Sequence, residues 1–196
     1  MTETESGPVV SYTIRRKFLK LFGASFTVFD HTGAPVGYCK QKAFKLREDI
    51  RVYTDESRSD LLLAMQTHKV IDFNAAFDVT LGDGSVLASL RRKGMKSFLR
   101  DSWQVFDTEG REIAKIEEDS AALGLLRRGH EILAAMIPQT FNVIAADGRR
   151  VSSFRTHMNP FIYRLTVRIH EEDAQLDDLV LLGAACLIAA VEGRQS

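Results

Sequence analysis

The chain has 196 residues, 45% of them hydrophobic and 27% charged, and its 26 basic and 26 acidic side chains balance to zero net charge. That length suits one domain, or at most two small ones, and is large enough to bury a core without disulfide or metal support. Zero net charge argues against a dedicated nucleic-acid binder, whose domain is usually basic, so no nucleic acid partner is expected.

Residues 1–9 are polar and acidic, with neither the basic n-region nor the apolar h-region of a secretory signal. They read as a disordered leader to a single domain over residues 10–193, in a cytoplasmic protein that is at most peripheral at a membrane. Tyr12 to Arg16 alternates as a strand. Phe26 to Asp30 and Val36 to Lys42 form a hairpin, and Phe44 to Tyr53 is a longer β-like run. Leu61 to Thr67 lies between hairpins and reads as strand. Val70 to Leu81 puts Ile71, Phe73, Ala75, Phe77, Val79 and Leu81 on one face and polar or small residues on the other, as in an antiparallel sheet wet on one side. Val86 to Arg92, Trp103 to Asp107, Glu112 to Glu117, Phe141 to Ala145, Val151 to Thr156 and Ile162 to Ile169 bring the total to about twelve strands, which suggests a barrel or sandwich.

Four of these hairpins share one pattern: aromatic, any residue, Val, four residues, Gly, two residues, aliphatic. The copies run from Phe26, Phe77, Trp103 and Phe141 to Gly33, Gly84, Gly110 and Gly148. An Asp (Asp30, Asp83, Asp107, Asp147) precedes each Gly by one to three positions. This is hairpin chemistry, with Gly supplying a positive φ in a polar turn.

Two segments depart from it. Ser120 to Met136 has apolar residues at helical spacing, a Ser cap and Pro138 beyond its end, although Gly124 and Gly129 weaken it. Leu179 to Val191 is apolar on every side, with Asp177 or Asp178 as its cap and Gly193 as its stop. At about 1.5 Å per residue it covers roughly 20 Å, short of a hydrocarbon core of about 30 Å. A buried core helix follows, and a closed β-barrel would supply apolar walls all round it.

Cys39 and Cys186 lack CxxC spacing and read as buried free thiols in a reducing compartment. The five histidines are scattered without HxH or HExxH spacing, so neither metal nor cofactor is expected. No GxSxG elbow, P-loop or complete GxGxxG is present, and the protein reads as a non-enzyme without catalytic residues.

Four passages, in this order, resemble the LURP-one-related family of the Tubby C-terminal-like superfamily, which also includes phospholipid scramblases. They are Phe26 to Arg47; Leu90 to Trp103, with Arg91-Arg92-Lys93-Gly94-Met95-Lys96; Leu123 to Arg128 leading into Pro138; and Asn159-Pro160-Phe161 with the terminal helix. The resemblance spans residues 10–193 and implies a twelve-stranded antiparallel β-barrel enclosing a hydrophobic C-terminal helix. It also implies a ligand class, since Tubby domains bind phosphoinositide head groups through basic residues. The chain departs from the scramblase pattern in having no Pro-rich N-terminal region, no cysteine cluster and no acidic calcium loop.

A barrel filled by its own helix leaves function to the outside. Arg91, Arg92, Lys93, Lys96 and Arg100 form the leading site, five cations without an intervening acid. Near an anionic membrane each contributes about 1 kcal/mol of attraction; the competing reading is a solvated loop. Arg15, Arg16, Lys17 and Lys20 form a second run, and Lys40, Lys42, Lys45 and Arg47 alternate along strands. The expected function is a non-catalytic binding module for anionic phospholipid or phosphoinositide. The alternatives are a protein-interaction scaffold with no small ligand and a scramblase-like membrane-active protein.

Overall fold

The structure, a computed structural model, describes residues 10–17, 25–41, 49–67, 76–93, 102–119, 138–157 and 162–192. These form β1 (Val10–Lys17), β2 (Ser25–Phe29), β3 (Pro35–Gln41), β4 (Asp49–Tyr53), β5 (Leu61–Thr67), β6 (Ala76–Leu81), β7 (Val86–Arg92), β8 (Ser102–Phe106), β9 (Glu112–Glu118), β10 (Thr140–Ala145), β11 (Arg150–His157), β12 (Ile162–Ile169) and the helix α1 (Asp178–Glu192). The twelve strands close into one barrel in which each pairs antiparallel with its neighbour in sequence and β12 returns to β1. The expected helix at Ser120 to Met136 and the early parts of the Phe44 and Val70 runs lie outside the described residues.

The four-fold repeat sets the local geometry. Each aromatic is buried and opposes a residue on the next strand: Phe26 with Cys39, Phe77 with Leu90, Trp103 with Ile116, and Phe141 with Phe154. In every copy the ladder shifts register immediately after the Val, at Val28, Val79, Val105 and Val143. A bulge of this kind increases the local twist, which helps a sheet curl into a barrel. The turn Gly follows at a φ of 79° to 90°, open to an L residue only at a steric cost. The Asp side chain then ties the turn together. Asp107 Oδ1 accepts from the amides of Glu109 and Arg111, both at 2.9 Å, and Asp83 Oδ1 accepts from the Ser85 amide at 2.8 Å.

Strand alternation sends Ile14, Val28, Ile50, Leu63, Met65, Val79, Leu90, Val105, Phe154 and Leu165 inward, all 0–1% exposed. The helix occupies the space they enclose. Its residues from Val180 to Ala190 are buried, and it packs against β1, β4, β5, β6, β7 and β12. Its small residues allow that fit: a Cβ on Gly183 would lie 2.9 Å from Val79 Cγ1. Asp177 is the cap, its Oδ1 accepting from the Leu179 amide at 2.7 Å and its carbonyl from Val180 at 2.9 Å. With the helix in place, the barrel interior is core and not a channel.

Candidate anion-binding surfaces

Alternation along β7 divides the leading basic run between two faces of the wall. Arg91 is exposed and points out with Ser89, its guanidinium 4.7 Å from the centre of the Phe106 ring. Arg92 has the inward parity of Ala88 and Leu90. It is half-buried at the rim, opposite Trp103 and 5.8 Å from that ring's centre. Lys93 is exposed, and its amide donates to the Ser102 carbonyl at 2.9 Å, extending the β7–β8 ladder. Lys96 and Arg100 lie outside the described residues. Arg91 and Lys93 thus share the outer surface, while Arg92 belongs to the end of the core. Around them the wall carries both signs: Asp78 bonds Ser89 at 2.7 Å, Glu112 accepts from Gln104 at 2.6 Å, and Lys115 stands 4.0 Å from Glu112.

A different sector is cationic only. The strands β10, β11, β12, β1 and β2 are consecutive around the barrel and contain no Asp or Glu. On their outer side Arg15 of β1 stands directly opposite Arg164 of β12, and Arg164 directly opposite His157 of β11. Arg155 opposes Thr166, and Arg168 opposes both Ser11 and Ser153. His157 Nε2 and Thr166 Oγ1 are 2.7 Å apart, and the Arg15 guanidinium lies 4.6 Å from the centre of the Phe29 ring. Burial, and after it the charges of Arg164, Arg155 and Arg168, push the His157 imidazole below its usual pKa. Sequence reading divided these residues among separate segments. The signal that would have joined them is the absence of any acid from all five strands.

Acids gather where turns need them. Arg149, in the β10–β11 turn, binds Asp147 at 2.7 Å, Glu171 at 2.9 Å and Asp173 at 2.8 Å. Three carboxylates around one guanidinium raise its pKa further above the arginine range. They also account for the Glu171–Asp173 cluster, which anchors the approach to α1. Among the described residues no three His, Cys, Asp or Glu side chains are grouped to hold a metal ion.

A closed antiparallel barrel of twelve described strands, threaded by a buried C-terminal helix and basic on one sector of its outside, defines the structural class. The chain belongs to the LURP-one-related family, whose model matches residues 10–177. No curated protein matches the sequence.

Proposed function

We propose that the protein is a non-catalytic binding module for anionic phospholipid head groups, phosphoinositides among them, and that it meets them at the end of β7. The observation that carries this reading is the pairing of Arg91 with Lys93. Both are exposed on the outer surface, and they lead into the segment bearing Lys96 and Arg100. Arg91 forms no ion pair with the described residues and rests on the Phe106 ring. A cation over an aromatic face suits a boundary where one side is apolar and the other charged. Arg92 stands beside Trp103 at the strand end from which the other two project. The likeness to phosphoinositide-binding Tubby domains supports the same ligand class.

No helix among the described residues is long and apolar enough to cross a membrane. The contact in this reading is made by side chains at the surface. Such binding weakens with salt, because exposed charges are screened over about 8 Å at physiological ionic strength. Co-sedimentation with phosphoinositide-containing vesicles tests it. Wild type should be retained at low salt and released at high salt, and an Arg91→Ala/Arg92→Ala/Lys93→Ala variant should stay in solution. Equal retention of the two proteins would rule the surface out.

A further inference from the structure

We infer that the outer face of β1, β12 and β11 is a binding site for a phosphate monoester, clamped between Arg15 and Arg164 and flanked by His157, Arg155 and Arg168. The starting point is a cost. Like charges placed directly opposite on neighbouring strands repel. Here Arg15 opposes Arg164, and the next position in the same row is His157. Surface sheets usually relieve such repulsion with an acid on an adjacent strand, but the five strands of this sector contain none. Arg15, Arg155, Arg164 and Arg168 form no ion pair with the described residues. None of the described residues supplies the compensating charge.

The geometry selects the kind of anion. Side chains directly opposite in an antiparallel pair have Cβ atoms about 5 Å apart, so two arginines rooted there are long enough to meet on one small group. A carboxylate brings one charge and leaves one arginine uncompensated. A phosphate monoester brings close to two charges at neutral pH and three acceptor oxygens, matching two forked donors. The Arg15 guanidinium rests 4.6 Å from the centre of the Phe29 ring on the β2 side of β1, and meeting Arg164 over the anion would take it off that ring. His157 Nε2 is 2.7 Å from Thr166 Oγ1, and the residue stands opposite Arg164 on the side away from Arg15. Its lowered pKa leaves it mostly neutral at pH 7, and a bound dianion would raise that pKa.

This site stands apart from the membrane reading. β12 and β7 are five strands apart one way round the barrel and seven the other, so the two surfaces face opposite directions. The inference rests on the register of β1, β12 and β11 and not on Arg91.

The test follows the His157 imidazole by NMR, its signal assigned with His157→Gln, while glycerol phosphate is added at constant ionic strength against chloride. A saturable shift with a raised His157 pKa is expected in wild type. Arg164→Ala should weaken the apparent affinity about tenfold or more, the scale of losing a charge-assisted hydrogen bond. Arg15→Lys should fall between wild type and Arg15→Ala, because it keeps the charge and loses the fork. Arg15→Glu, which replaces repulsion by an ion pair, should raise the melting temperature without phosphate and abolish its further rise with phosphate. The Arg91→Ala/Lys93→Ala variant should show the same His157 shift with glycerol phosphate as wild type, whatever it does with vesicles. Displacement of glycerol phosphate by phosphatidic acid vesicles would identify a lipid as carrier, and its absence a soluble ester; both results support the clamp. No saturable shift beyond chloride, or equal affinity in wild type and Arg164→Ala, would overturn it.

Discussion

Arg149 reaches Asp173 at 2.8 Å, joining the β10–β11 turn to the segment that delivers the terminal helix into the barrel. Asp173 is the most enclosed of its three partners, with its side chain 10% exposed, against 53% for Asp147 and 50% for Glu171. Arg111 offers a natural comparison, since among the described residues it pairs only with Asp107 and Glu109 of its own turn. Arg149→Ala is therefore expected to lower the melting temperature more than Arg111→Ala, and the difference should shrink at high salt. Thermal melts of both variants at two salt concentrations check this.

The turn aspartates contribute to acid behaviour. Asp30 and Asp83 are held below the usual aspartate pKa chiefly by the hydroxyls of Thr32 and Ser85, and Asp107 and Asp147 chiefly by the amides of Arg111 and Arg149. A carboxyl whose pKa is lower in the folded chain stabilises it above the unfolded value. That contribution is lost as pH falls through the lowered folded value. Stability should accordingly fall below the ordinary aspartate value of 3.8. Urea midpoints measured across this range should decline less steeply in Asp83→Asn or Asp107→Asn.

The helix core makes a larger prediction. Leu187 is 0% exposed at the centre of the barrel. Leu187→Ala should cost about 2–5 kcal/mol, the range for truncating a fully buried leucine. Gly183→Val should be worse than Gly183→Ala, because even a single Cβ meets Val79 at 2.9 Å. Chemical denaturation of the three variants orders them.

Cys39 and Cys186 are both buried, and burial pushes both thiols above their usual pKa. Reaction requires the thiolate. Neither should react with a thiol reagent in the native protein, and both should titrate in denaturant. Labelling at the rate of global unfolding would place both in the last-opening core; faster labelling of Cys186 would mean that the helix leaves before the barrel opens.

The repeats were legible because their information is local. An aromatic, a Val, an Asp and a Gly within eight residues specify a turn and two strand ends before any distant contact forms. The helix was legible for the opposite reason: a run from Leu179 to Val191 that is apolar on every face has few stable environments. Two other features were harder. The pleat sends Arg91 out and Arg92 in, so neighbours in a basic run of the sequence do not all share one face. The Arg15–Arg164–His157 row depends on β12 closing against β1, a register set by barrel closure between distant parts of the chain. No local pattern marks it.

The central claim is that recognition occurs on the outer wall while the helix stays in the barrel. Hydrogen exchange with and without anionic vesicles reads both parts at once. Added vesicles should slow exchange at the β7–β8 end around Arg91 to Lys93 and leave the amides of Val180 to Ala190 as slow as before. Faster exchange along that helix on vesicle addition, or no protection anywhere on the outer wall, would contradict it.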